Sequence, residues 1–289
     1  MRIAVFRAGG ARQVGLVSAD GKQVTRLDVP ERDAAGGALA VIDALAAGKP
    51  MPASAGAPVP LSDVQLEAPL PAQRRNLFCV GRNYHAHAKE LSASVFKDNN
   101  QKTDEWPIVF TKVPQTVVGP HDEVRLPVGI TDKVDYEAEL AVVIGKQGSN
   151  ISKADAMSHV FGYTVVNDVT ARDVQMRHQQ WDLGKSFDTF CPMGPWLITA
   201  DEFDGTRTRV RCWVNDEQRQ DGQTTDLIFD IPTLIETCSR GITLYPGDVI
   251  ATGTPAGVGM GLNPPVYLKA GDVVRIEIEG LGRIENRFV

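Results

Sequence analysis

Residues 133–145, KVDYEAELAVVIG, combine two features that conflict. The second half, LAVVIG, is the continuous apolar run of a strand buried on both faces. Glu137 and Glu139 lead straight into it. Alternate residues of a strand share a face, so these carboxylates and Asp135 point the same way, with neighbouring Cα atoms roughly 6–7 Å apart. Taken alone, such a strand end reads as a solvated acidic edge. Against that reading, carboxylates at the margin of a core need a cation or hydrogen bonds to offset desolvation and mutual repulsion. A metal ion supplies both.

The chain has 289 residues, enough for one large domain or a large one with a small companion. It is 43% hydrophobic and 23% charged, and its net charge of −6 provides no basic stripe for nucleic acid or an anionic membrane. The N-terminal MRIAVFRAGG has only a short apolar run before Arg7, unlike a secretory signal or an anchor. No apolar segment reaches the roughly 18 residues of a transmembrane helix. Cys79, Cys191, Cys212 and Cys238 are widely spaced with no C-x-x-C, which argues against a zinc site or disulfide framework. The expected compartment is reducing and cytoplasmic.

Residues 1–28 read as three short strands, with Asp20-Gly21 as a hairpin turn, and GALAVIDALAAG reads as a helix ending at Gly48. KPMPASAGAPVP then suits a linker, so a boundary is expected near residue 70, with a small N-terminal segment (1–70) and a larger domain (71–289). Strand patterns dominate beyond it: NLFCVG, PIVFTK, the opening stretch, VFGYTVVN, RVRCWVN, DVIATG and VVRIEIEG. Helical pattern is limited to YHAHAKEL, KADAMSHV and IPTLIETCSRG, and the turns YPGDV and KAGDV precede strands. A β-rich α+β domain fits better than regular β-α-β alternation. The polar stretch 92–106 has the composition of a lid.

Asp168, where an apolar strand gives way to a helix-like segment, is either a third oxygen ligand or a helix N-cap. Three carboxylates suit a hard ion, Mg²⁺ or Mn²⁺, rather than zinc. In CVGRNYHAHAKEL, His87 and Glu90 are three apart and share a helix face, as a base and its orienting carboxylate would. The other histidine, His85, has Lys89 four residues on, which cannot act as an acceptor for it. A polar helix face is the alternative. Lys185 is flanked by Trp181, Phe187 and Phe190; it either snorkels, binds an anion or stabilises an enolate. ATGTPAGVGMG (251–261) is not G-x-G-x-x-G, and the following NPP opposes a helix, so a Rossmann or P-loop reading fails. Its N–H groups and Thr254 could cradle a carboxylate, or the stretch is a tight inter-strand loop.

GRNYHAHAKEL, DYEAELAVVIG, NDVTARDVQ, GKSFDTFCPMGP and TGTPAGVG, in this order, resemble the fumarylacetoacetate hydrolase family over roughly residues 75–289. The resemblance implies a β-roll with short helices, in a homodimer, after a small N-terminal α/β accessory domain. It also implies Mg²⁺ or Mn²⁺ on Glu137, Glu139 and Asp168, and a catalytic group of His87, Glu90 and Lys185. Arg82, Lys112, Arg172, Gln175 and Thr254 become candidate substrate contacts, while Asp135 is not counted as a ligand. One departure stands out: the family's short motif commonly reads Tyr-Ala-Asp-His, and here it is Tyr84-His85-Ala86-His87.

What the resemblance implies of function is hydrolytic C–C cleavage of an acylpyruvate or other 2,4-dioxo acid, including a sugar-derived diketo acid, giving pyruvate and a carboxylic acid. The alternative is decarboxylation or tautomerisation of a 2-oxo dicarboxylate, of the oxaloacetate or 2-hydroxyhepta-2,4-diene-1,7-dioate type. A non-enzymatic domain stabilised by a bound ion is a third reading.

Overall fold

The computed structural model describes residues 1–94, 105–177 and 180–289. The strand Ala138–Ile144 is buried along its whole length, and its side chains divide by parity. Ala138, Leu140, Val142 and Ile144 enter one hydrophobic core, whereas Ala141 and Val143 enter a second on the opposite face. Two buried faces leave no place for polar alternation, hence the unbroken apolar run. Glu139 has the parity of the second face.

This strand lies within a 12-stranded mixed sheet. It pairs antiparallel with Val160–Asn167 on one side and Val249–Ala251 on the other. Beyond Val160–Asn167 come Cys191–Thr199 and the N-terminal strands Arg2–Ala8, Ala11–Val17 and Gln23–Arg26. Beyond Val249–Ala251 come Leu77–Gly81, which is parallel to it, and Ile108–Lys112. A separate four-stranded sheet, ordered Glu217–Gln223, Arg209–Val214, Val273–Ile278 and Gly282–Arg287, covers the first core with Val210, Cys212, Ile276, Ile278 and Ile284. The fold is β-rich α+β; the longest helix among the described residues, His85–Ser94, has ten residues. No helix among them is long and apolar enough to cross a membrane.

The N-terminal segment is not set apart from the rest. Arg2 and Ile3 pair with Ile198 and Leu197, which continues the main sheet into residues 1–70. Val41 and Ile42, from the helix Leu39–Ala46, share the second core with Leu77, Cys79, Ala141 and Val143. Residues 49–60, linker-like in composition, run largely exposed along the surface.

Three strands of six residues or more escape the periodicity reading. Cys191–Thr199 holds Pro192 and Pro195, which argue against a central strand, yet its partner Val160–Asn167 shifts register between Tyr163 and Val165 to accommodate the irregularity. Glu217–Gln223 (EQRQDGQ) and Gly282–Arg287 (GRIENR) are too polar to signal strands by themselves. The helix at Ile231–Ser239 is as expected and is capped by Asp230, whose Oδ1 accepts from Thr233 N at 2.9 Å. KADAMSHV shortens to a 3₁₀ turn at Ala156–His159. In the YPGDV turn, Gly247 adopts φ +88° and Asp248 Oδ2 accepts from Tyr245 N at 2.6 Å. The KAGDV turn repeats this with Gly271 at φ +95° and Asp272 accepting from Lys269 N at 2.8 Å. Most of the lid-like stretch, residues 95–104, lies outside the described residues.

Leu140 is fully buried in the central strand. Leu140→Ala is expected to cost about 2–5 kcal/mol in chemical denaturation. A loss below about 1 kcal/mol would contradict the packing described.

Candidate active site

Glu137 lies in the break between the short strand Val134–Asp135 and the long strand Ala138–Ile144. Its N–H donates to Asn167 Oδ1 at 3.0 Å and its carbonyl accepts from Asp168 N at 2.9 Å, which brings the Asp168 backbone alongside it. Asp168 does not cap a helix: the next one, Arg172–Gln175, starts four residues later with Ala171 at its N-cap. Ligand oxygens of Glu137, Glu139 and Asp168 all lie within 4.8 Å of one another, and the three residues are buried.

The surrounding charges are nearly balanced. Lys185 Nζ donates to Glu137 Oε2 at 2.8 Å and to Asp168 Oδ2 at 2.7 Å. Lys112 Nζ pairs with Asp168 Oδ1 at 2.8 Å, and Arg172 Nη1 with Glu137 Oε1 at 2.6 Å. Glu139 accepts only the N–H of Gly253, at 2.8 Å, among the described residues. Burial raises its carboxyl well above the usual range, and the charges of Asp168 and Glu137 push it the same way. Burial opposes ionisation of Glu137 too, but Lys185 and then Arg172 overcome it and bring that carboxyl down to about 2. The ammonium of Lys185, which burial alone would weaken, is held above its ordinary value by Asp168 and Glu137.

Three clustered carboxylates, one of them without a compensating cation, form an oxygen donor set that fits a hard divalent ion. Mg²⁺ at about 100 times its Kd is expected to stabilise the protein by ~2.7 kcal/mol, visible as a rise in Tm. Glu139→Gln should remove that rise. An undiminished rise in the variant would place the ion elsewhere.

Asp135 has a different task, although it shares the acidic stretch. Its Oδ1 accepts from Tyr136 N (2.9 Å) and Gly259 N (2.7 Å), and its Oδ2 from Met260 N (2.9 Å) and Arg172 Nε (2.8 Å). Every partner is a donor, so only an ionised carboxylate satisfies all four. Asp135→Asn, which must turn an NH₂ toward donors, is expected to cost about 3–5 kcal/mol. Wild-type stability in Asp135→Asn would show that the charge is dispensable.

The glycine-rich stretch does cradle carboxylates, but they are the protein's own. Gly253 N holds Glu139, Gly257 N holds Glu90 at 3.0 Å, and Gly259 N and Met260 N hold Asp135. Glu90 Oε2 in turn lies 3.1 Å from His87 Nδ1. Gly257 N–H points at both oxygens of Glu90, so the carboxyl acts as acceptor and Nδ1 carries the proton; in the neutral ring the lone pair is then on Nε2. At Gly261 a Cβ would stand 2.2 Å from Glu90 Cδ, so a larger residue there would displace that carboxyl.

His87, Glu137, Glu139, Lys185, Arg82, Arg172, Gln175 and Thr254 line one cavity of about 20 Å³. Phe110, Trp181 and Met260 complete its wall; only Trp181 had a sequence signal, as a neighbour of Lys185. Lys185 Nζ stands 4.9 Å from the Phe110 ring centroid, and Trp181 packs on Phe110 with centroids 5.4 Å apart. Lys112 is not brought to this cavity. It points behind Asp168, where its ammonium also donates to Val169 O at 3.0 Å and to Lys185 O. Arg172 Nη2 is buried with no acceptor among the described residues.

The family described as fumarylacetoacetate (FAA) hydrolase C-terminal matches residues 76–289. Oxaloacetate tautomerase YisK of Bacillus subtilis (strain 168) is 50% identical over 229 residues, 79% of this chain and 74% of that protein. The mitochondrial oxaloacetate tautomerase FAHD2A of Homo sapiens is 49% identical over 234 residues, covering 80% and 71%. The solved fumarylacetoacetate hydrolase of Exiguobacterium antarcticum superposes with TM-score 0.86 at 40% identity, over 100% of this chain and 99% of that one.

Proposed function

Within the fumarylacetoacetate hydrolase family, to which this chain belongs, we propose that it is a divalent-metal-dependent tautomerase of a small 2-oxo dicarboxylate of the oxaloacetate type. One observation carries the proposal: His87, oriented through Nδ1 by Glu90, lines the same cavity as Lys185, Glu137 and Glu139. Two relatives near 50% identity that bear the name oxaloacetate tautomerase support the choice of reaction.

When bound at Glu137, Glu139 and Asp168, Mg²⁺ or Mn²⁺ supplies Lewis-acid polarisation of the 2-oxo group. Arg82 and the unpartnered Arg172 Nη2 draw the dianion into the cavity. His87 Nε2 takes the proton from C3, and the C3–H electron pair forms the C2–C3 double bond while charge moves to the C2 oxygen. Lys185 stabilises that charge as it develops. Proton return to the oxygen completes the enol; the reverse sequence gives the keto acid. Glu90 holds the imidazole in the required tautomer throughout. No water is consumed in this sequence.

C–C hydrolysis of an acylpyruvate is the second reading, favoured by the likeness to the E. antarcticum hydrolase. There His87 would deprotonate water instead of carbon. Following the ultraviolet absorbance of enol-oxaloacetate with and without Mg²⁺ separates the two. Metal-dependent acceleration of enol–keto equilibration, with no acid released from an acylpyruvate, is expected. His87→Ala should slow that equilibration at least about 100-fold while keeping the Mg²⁺-induced rise in Tm. Unchanged equilibration in His87→Ala, or preferential cleavage of the acylpyruvate, would overturn the tautomerase reading.

A further inference from the structure

Gln220 lies on the strand Glu217–Gln223 of the four-stranded sheet, fully buried, in a segment that carries no motif. Its amide reaches into the floor of the active site. Oε1 accepts from Ala138 N, between Glu137 and Glu139, at 3.0 Å. Nε2 donates to Pro255 O and to Thr254 Oγ1, each at 2.7 Å.

The orientation of this amide follows from its partners. A backbone N–H can only donate and a backbone carbonyl can only accept, so the oxygen must face Ala138 and the nitrogen Pro255. The second N–H of Nε2 is then committed to Thr254 Oγ1. Thr254 therefore uses a lone pair on Gln220, and its own proton is left over. That proton has no acceptor among the described residues, although Thr254 is 2% exposed and lines the cavity.

We infer that Gln220 is a positioning residue that, by donating to Thr254 Oγ1, keeps the threonine's proton free, so that the threonine presents a donor to an anionic oxygen of the ligand. Gly253, one residue earlier, donates to Glu139, which places this donor at the end of the cavity where the carboxylate triad lies. The group that this donor fits is an acceptor, a carboxylate or enolate oxygen. The inference rests on the cavity binding a 2-oxo acid. It adds that specificity for the acid is wired from a sheet bearing none of the triad or dyad.

Gln220→Glu reverses the polarity. The carboxyl still accepts from Ala138 N, but an ionised carboxylate has no proton for Thr254, and a protonated one gives its single proton to Pro255 O. Thr254 must then donate to residue 220 and turn its lone pairs on the ligand. Oxalate binding in the presence of Mg²⁺, measured by calorimetry, reads the change without requiring turnover. Against Thr254, Gln220→Glu should weaken oxalate at least about tenfold, the scale of one hydrogen bond to a charged group.

The decisive comparison repeats the substitution in a Thr254→Val background. The factor lost to Gln220→Glu should there be at least about fivefold smaller, because no hydroxyl is left to misdirect. Equal factors in the two backgrounds would mean that Gln220 only braces the fold or perturbs the local field, and would overturn the inference. Wild-type protein that binds no oxalate with Mg²⁺ would instead overturn the 2-oxo acid reading on which the inference rests. Neutron diffraction from the unaltered protein keeps the test open if a variant fails to fold. A deuteron on Thr254 Oγ1 directed into the cavity is expected; one directed at Gln220 refutes the assignment.

Discussion

Lys185 Nζ stands between Glu137 Oε2 and Asp168 Oδ2, at 2.8 and 2.7 Å, on a buried side chain. Carboxylates packed this closely against two hydrophobic cores would repel one another and lose their hydration, at a cost of several kcal/mol each. Lys185, Lys112 and Arg172 offset most of this, but four carboxylates, counting Asp135, face those three cations. Glu139 is the group left over. That residual imbalance makes the pocket receptive to a divalent ion, and a divalent ion in turn makes it receptive to an anionic acid. A buried ionic network of this kind adds little stability over apolar packing; what it secures is a fixed arrangement of charges.

Rigidity comes from the strands that carry the charges. Ala138–Ile144 is flanked on both edges and buried on both faces, so Glu139 at its start is as immobile as the sheet. The glycine-rich stretch adds the opposite wall and spends its backbone donors on Glu139, Glu90 and Asp135. Asp135 and Arg172 tie that wall to Glu137. A shift in one element is therefore felt by the base, by the triad and by the substrate donors together. The N-terminal strands, although remote from the chemistry, extend the same sheet and fill the core behind it.

Much of this was legible in the sequence because it rests on local pattern. The apolar run after Glu139, the shared parity of residues 137 and 139, and the His87–Glu90 helical spacing each follow from strand or helix period. Features that depend on distant partners were not legible. Lys112 sits in a strand signal like any other, and only the fold shows that it points behind Asp168 and away from the cavity. Asp135 shares its face with two glutamates, yet the neighbouring Tyr136 N–H and three donors from two other segments give it a structural task. Gln220 lies in a strand so polar that periodicity does not detect the strand at all. The strand pairing of Arg2 with Ile198, far apart in the chain, likewise leaves no mark on local sequence.

Anomalous diffraction from crystals grown with Mn²⁺ and oxalate locates the ion directly. A single strong peak bounded by Glu137, Glu139 and Asp168, with oxalate between the ion and His87, is the predicted result. A peak outside the triad, or oxalate bound away from His87 while Lys185 alone bridges the carboxylates, would contradict it.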